Sequence, residues 1–152
     1  MDKVFAIVLM LFTVSCFADD RPLDQDSQET IFSCKLKDGV EVNLLRDKTD
    51  QWELKVSVPM SKGVDIRKAG NDMGTTFFNH REENTVTQEI MISTADHAWF
   101  YTVGVNDQGG VKTGYLQVMN SGVETAYESC VDGSLHEQFN REGILANLTT
   151  VD

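Results

Sequence analysis

The regular alternation of apolar and polar residues is the feature that most restricts how this chain folds. In residues 52–58 the sequence WELKVSV puts Trp, Leu and two Val on one side of a strand and Glu, Lys and Ser on the other. Similar patterns predict strands at residues 31–36, 40–44, 75–79, 85–93, 98–104, 111–119 and 123–130. About eight strands with short connections indicate a mostly β protein, an antiparallel eight-stranded barrel or sandwich.

Turn residues separate the predicted strands, and two stretches depart from the alternation. Asp38-Gly39 has the chemistry of a hairpin turn, as do the segments 47–50, 81–84, 106–110 and 120–122. Residues 60–74 are expected to be irregular or to form a short helix. Ser134-Leu135-His136-Glu137 has the form of a capping box, which predicts a short C-terminal helix that ends near Gly143.

The first eighteen residues have the pattern of a secretory signal. Lys3 precedes the short apolar run 5–14, and Cys16-Phe17-Ala18 is a small-residue ending before Asp19. Lipidation at Cys16 is the less favoured alternative, because Thr13 stands where such signals usually carry Leu, Val or Ile. We therefore expect a signal peptide at residues 1–18, a flexible acidic leader at residues 19–30 and a single β domain at residues 31–152.

The acidic balance of the chain restricts its partners. The 152 residues carry 13 Lys and Arg against 24 Asp and Glu, a net charge of −11, and removing residues 1–18 takes away one acid and one base. Nucleic acids and anionic membrane surfaces are bound through Lys and Arg, so neither is an expected partner. A basic protein is the complementary partner.

Two cysteines, Cys34 and Cys130, remain after the signal is removed. An even pair in an exported protein predicts a disulfide, here one that closes a loop across most of the domain. Two reactive thiols are the alternative, but neither cysteine lies in a Cys-x-x-Cys motif.

The sequence contains no recognisable catalytic motif. There is no Gly-x-Ser-x-Gly elbow, no Gly-rich phosphate loop and no His-Glu-x-x-His. The histidines His80, His97 and His136 are far apart, and the neighbours Asp96 and His97 would point to opposite faces of a strand. We expect no enzyme activity, no cofactor and no metal site.

Loops on the strand scaffold are the expected binding elements. The first candidate is the turn that contains Ser121, Gly122 and Glu124, because small residues let a partner approach the backbone closely. The next candidate partner contacts are Asn106 and Asp107 in one turn and Glu82 and Glu83 in another. Trp52 is expected in the core, and residues 99–101 are expected to be core with one outward ring.

Two bacterial families share features with this chain. The segment FSCKLKDG at residues 32–39 is similar to the opening of the periplasmic or membrane-bound inhibitors of C-type lysozyme, and Ser121-Gly122 matches the start of their inhibitory Ser-Gly-x-x-Tyr loop. Tyr127 falls two residues later than that pattern requires. In its overall architecture the chain also resembles the periplasmic immunity proteins that protect bacteria against wall-degrading toxins delivered by type VI secretion.

The resemblance and the composition together predict a periplasmic protein that binds and inhibits a peptidoglycan-degrading enzyme. Ser121, Gly122 and Glu124 would enter the enzyme cleft, and the surrounding acids would speed association. The alternative is a β-barrel carrier of a small apolar ligand, and an unrecognised hydrolase ranks third. Open strand edges would also permit a homodimer.

Overall fold

The structure, a computed structural model, describes residues 28–70, 74–146 and 148–151, and it contains two β-sheets. The predicted signal peptide and most of the predicted leader lie outside the described residues. Eleven strands occur in the described part of the chain: β1 Glu29–Lys35, β2 Glu41–Arg46, β3 Gln51–Ser57, β4 Val64–Ala69, β5 Thr75–Glu82, β6 Thr85–Ser93, β7 Trp99–Gln108, β8 Val111–Asn120, β9 Val123–Ser129, β10 His136–Glu137 and β11 Thr149–Val151.

The first sheet has five antiparallel strands in the order β10-β1-β2-β3-β4. Its register sets Leu44 of β2 opposite Leu54 of β3, and Leu54 opposite Ile66 of β4. All three side chains are buried, so one face of this sheet points into the core and the alternating positions point out.

The second sheet has six strands in the order β11-β5-β6-β7-β8-β9. Strands β5 to β9 follow one another as antiparallel hairpins, and the short β11 pairs with β5 in parallel. The mostly β, largely antiparallel prediction is confirmed. The count of eight strands is wrong, and the described strands form two open sheets in a sandwich-like arrangement instead of a closed barrel.

Side chains from both sheets pack into one hydrophobic core. Trp52, Leu44 and Leu54 contribute from the first sheet, and Ile90 and Val103 contribute from the second, each at most 1% exposed. The prediction that Trp52 is a core residue is therefore confirmed. Burial on this scale is the main stabilising term for a two-sheet domain.

The predicted C-terminal helix is wrong. Within the described residues, this region contains the two-residue strand β10, which pairs with β1, and turns up to residue 146. The Ser134 hydroxyl donates to the carbonyl of Val131 instead of capping a helix, and a carboxylate oxygen of Glu137 accepts from the amide of Phe139. Phe139 is 1% exposed against the core, so strand pairing and burial outweigh the local capping signal.

Other boundaries also differ from the prediction. Residues 60–74 contain the regular strand β4, because residues 64–69 pair with β3 and Ile66 is buried in the core. Strand β1 begins at Glu29, two residues inside the predicted leader. As the sequence predicted, Cys34 and Cys130 form a disulfide, with a Cα–Cα distance of 5.7 Å, and it joins β1 of the first sheet to the end of β9 in the second.

Candidate functional site

The hairpins divide the predicted contact residues between opposite ends of the second sheet. The β8–β9 turn, with Ser121 and Gly122, lies at one end. The β5–β6 turn, with Glu82 and Glu83, and the β7–β8 turn, beside Asp107, lie at the other. Strand β7 runs between the two ends and has ten residues, a length of about 30 Å. The seven predicted residues therefore cannot form one site.

The β8–β9 turn is a tight two-residue hairpin. Ser121 and Gly122 both have positive φ, 49° and 83°, as a type I′ turn requires. A methyl group added at Gly122 would meet nothing within 4 Å, so the tip of the turn is open. The side-chain amide of Gln117 donates to the carboxylate of Glu124 over 2.7 Å and holds that acid against β8.

An indole and an aliphatic side chain lie next to this turn. Asn120, the last residue of β8, pairs with Trp99 on one side and with Val123 on the other. Trp99 is 36% exposed and Val123 is 66% exposed. The backbone amide of Ser121 donates to the carbonyl of Ala98, which ties the tip of the turn to the start of β7.

We name the resulting patch the turn surface, and it comprises Trp99, Asn120, Ser121, Gly122 and Val123. Trp99 is the exposed ring of residues 99–101, although it lies on the same side of β7 as the core residue Val103, and Phe100 and Tyr101 are partly buried. Sequence alternation did not single out Trp99 as a contact residue. Its position beside the turn follows from the register of β7 and β8, for which the sequence carries no local signal.

The opposite end of the sheet carries the second predicted group. An open hollow of about 420 Å³ is lined by Glu82, Glu83, Asn84, Thr85 and Gln108. His80 Nε2 lies 3.0 Å from Glu82 Oε1, so one of the two acids already has a cationic partner when the imidazole is protonated. This end is polar and has no exposed aromatic ring among its lining residues.

Asn106 and Asp107 have structural contacts in the structure. A carboxylate oxygen of Asp107 accepts from the backbone amide of Gly110 over 2.8 Å, which closes the β7–β8 turn. The Asn106 amide oxygen accepts from the Thr87 hydroxyl over 2.8 Å. Both groups therefore stabilise hairpins of the second sheet.

Two tyrosines and a glutamate form a cluster on the outward face of the second sheet that sequence reasoning missed. The Tyr115 hydroxyl donates to the Glu89 carboxylate, and the Tyr127 ring stacks on the Tyr115 ring with centroids 5.0 Å apart. Gly104 lies under the Tyr115 ring, where an added methyl group would come within 2.3 Å of it. Tyr115 is buried, whereas Tyr127 on the edge strand is half exposed.

Burial raises the pKa of the Tyr115 phenol, and the hydrogen bond to the negative Glu89 raises it further. Burial also raises the pKa of Tyr127, with a further contribution from the Glu89 charge. Both phenols are therefore protonated donors at neutral pH. The alternation of β6 and β8 set these residues on one face, but only the strand register shows that they meet.

The histidines do not assemble a catalytic group in the described part of the chain. Ser93 Oγ lies 3.0 Å from His97 Nδ1, but Ser93 is fully buried and its hydroxyl cannot reach a substrate. The Asp96 carboxylate accepts from the hydroxyl of Thr94 and the amide of Ala98, and these hydrogen bonds, the Thr94 one foremost, lower its pKa.

Within the described ranges, no three His, Cys, Asp or Glu side chains converge as metal ligands would. No helix among those residues has the length and apolar character that crossing a membrane requires.

Comparison with known proteins gives no relative: no family model, no curated protein and no solved structure matches the chain.

Proposed function

We propose that this protein binds a cationic protein through the turn surface. The observation that carries the proposal is an exposed indole, Trp99, held directly beside an open Ser121-Gly122 tip. Trp is among the residues that contribute most to protein interfaces, and a small tip lets a partner's backbone come close. A net charge of −11 favours a basic partner.

The partner class we favour is a peptidoglycan-degrading enzyme of the bacterial envelope, with this chain as its periplasmic inhibitor or immunity protein. The secretory pattern of residues 1–18, the disulfide and the resemblance of residues 32–39 and 121–122 to lysozyme inhibitors support this class. The turn would enter the substrate cleft, and Trp99 would pack on its rim. Distant acids such as Glu83 would mainly raise the association rate.

The test is binding to a cationic C-type lysozyme and inhibition of its lysis of cell walls, followed by turbidity. The disulfide-bonded chain from residue 19 onward is the sample. We expect W99A to weaken binding about tenfold or more, since truncating such an anchor costs about 2 kcal/mol. The double variant E82Q/E83Q at the opposite end is the matched control, and we expect it to slow association without changing dissociation.

The salt dependence of binding separates long-range electrostatic attraction from the contact that Trp99 makes. Raising the salt concentration should slow association of the unchanged protein, because long-range attraction is screened, and it should leave the Trp99 contact in place. Equal affinity of W99A and the unchanged protein would refute the turn surface. Absence of binding and inhibition at low salt would refute a C-type lysozyme as the target.

A further inference from the structure

Strand β9 is the least protected edge of the two sheets. Among the described strands, four lie at sheet edges: β10 with two residues, β11 with three, β4 with six and β9 with seven. The sequence of β4, VDIRKA, includes Arg67 and Lys68, the kind of residue that discourages a further strand from pairing. The sequence of β9, VETAYES, has no Lys, Arg or Pro, and all seven residues are exposed.

The backbone of β9 presents hydrogen-bonding groups to its open side. The amide of Cys130 donates to the carbonyl of Gly114 over 2.8 Å, so Cys130 points toward β8. Because backbone direction alternates along an antiparallel strand, Glu128 and Ala126 also face β8, and Tyr127 and Ser129 face away from it. A shift of register near Thr125 bends the strand, which leaves residues 126–129 as the regular edge.

The side chains of β9 are acidic and include one exposed aromatic ring. Glu124 and Glu128 are its only charged residues, and Tyr127 between them is 48% exposed. The Tyr127 ring rests on Tyr115, so it is held against the sheet with its outer side open. Glu124 and Tyr127 project from the same face of the sheet, and Glu128, opposite Leu116, projects from the other face. An aromatic ring on the same face as a carboxylate suits a Lys or Arg side chain.

We propose that β9 accepts an extended, Lys- or Arg-bearing segment of a partner protein as an added strand. The backbone of the segment would pair with Tyr127 and Ser129, and its cations would meet Glu124 and the Tyr127 ring on one face of the sheet and Glu128 on the other. The inference rests on the proposed function only in taking a cationic protein as partner, and it assigns a surface distinct from the turn surface. A second copy is the less suitable occupant, because it would bring the Glu124 and Glu128 carboxylates of two acidic chains close together.

The test uses amide hydrogen exchange, measured by NMR on the ¹⁵N-labelled, disulfide-bonded chain. The probe is the capped peptide Lys-Val-Lys-Thr-Lys-Val-Lys, and the control peptide has Glu in place of each Lys. At ten times the dissociation constant, we expect the Lys peptide to slow exchange of the Tyr127 and Ser129 amides about tenfold. The Glu peptide should leave these amides unchanged.

Two sets of variants check the geometry. S129P removes one outward amide, which an edge strand tolerates, and should abolish the slowing at Tyr127, whereas S129A keeps the amide and the slowing. E124K/E128K leaves the backbone intact and should reverse the preference in favour of the Glu peptide. That charge reversal keeps the test decisive if S129P fails to fold.

Three results would overturn the inference: no slowing at Tyr127 and Ser129, equal slowing by both peptides, or slowing without peptide that grows with protein concentration, which would identify a second copy as the occupant. Slowing by the Lys peptide without lysozyme inhibition would refute only the lysozyme target. Inhibition without slowing would refute only the added strand.

Discussion

At the scale of single residues, Glu53 is the buried charged side chain of the described structure. Its side chain is 4% exposed, yet Arg67 lies 2.7 Å from one carboxylate oxygen, and Lys55 at 3.1 Å and Gln28 at 2.9 Å contact the other. Burial alone would raise the pKa of Glu53, but the hydrogen bonds from Arg67, Gln28 and Lys55 together lower it. The carboxylate is therefore charged throughout the neutral range, and its partners stabilise that form.

Removing this charge should destabilise the fold. We expect E53Q to lower the free energy of unfolding by about 2–3 kcal/mol, because a buried, paired carboxylate is replaced by an amide that cannot accept from both cations. E41Q is the matched control, since Glu41 pairs with Lys35 at an exposed site and should contribute under about 1 kcal/mol. Urea unfolding at pH 7 measures both values, and equal losses would contradict the assignment.

The same group gives a pH dependence with a definite sign. A carboxyl whose pKa is lower in the folded than in the unfolded state stabilises the protein above its unfolded pKa, about 4.3, and this contribution is lost as the pH falls through the folded value. The difference in stability between the unchanged protein and E53Q should therefore shrink below about pH 4. A difference that stayed constant to pH 2 would contradict this explanation.

At the scale of elements, the segment around β10 shows tertiary packing that replaces a local helix signal. Phe139 stacks against Phe32 of β1 with ring centroids 6.0 Å apart, and it is 1% exposed. Lys112 of β8 forms an ion pair with Glu137, so β10 contacts both sheets. The short strand is held by its neighbours, since two residues cannot form a stable strand alone.

We expect F139A to lower the free energy of unfolding by about 3–4 kcal/mol, because a fully buried ring leaves a cavity when it is truncated. V131A in the same segment is the control, since Val131 is 47% exposed and should cost about 0.5 kcal/mol. Chemical denaturation of both variants measures the difference. A loss at F139A as small as that at V131A would mean that the segment is not docked on the core.

The sequence predicted correctly the turns whose conformation depends only on their own residues. Gly109-Gly110 and Ser121-Gly122 form the hairpin turns their sequence indicates, because few other residues accept positive φ at both positions. The edge strands β10 and β11 depend on pairing with β1 and β5, far away in sequence, so no local pattern indicated them. The Tyr115–Tyr127 stack and the position of Trp99 beside the turn also follow from register, which alternation alone does not supply.

At the scale of the whole molecule, the Cys34–Cys130 bridge is a covalent cross-link between the two sheets, in addition to the backbone that connects them. It closes a loop with a sequence separation of 96 residues. A loop of that length restricts the unfolded chain strongly, by about 4–5 kcal/mol in the chain-entropy treatment. Stability measured under reducing conditions therefore describes a different molecule from the disulfide-bonded one.

We expect a reductant to lower the free energy of unfolding by about 2–5 kcal/mol. The variant C34A/C130A of the chain from residue 19 onward is the control, because it has no remaining cysteine and should not respond to reductant. Urea titrations of both proteins, with and without reductant, provide the measurement. Unchanged unfolding of the unaltered protein after complete reduction would contradict a stabilising bridge.

The bridge also changes what a cut in the chain can do. Residues 34 to 130 and the disulfide together form a covalent ring, and most of both sheets belong to it. The exposed loop between β3 and β4, with Lys62 beside the fully exposed Met60, lies inside this ring. A protease that cleaves there opens the ring without releasing a fragment, so a nicked molecule keeps both halves of its structure joined until the bridge itself is reduced.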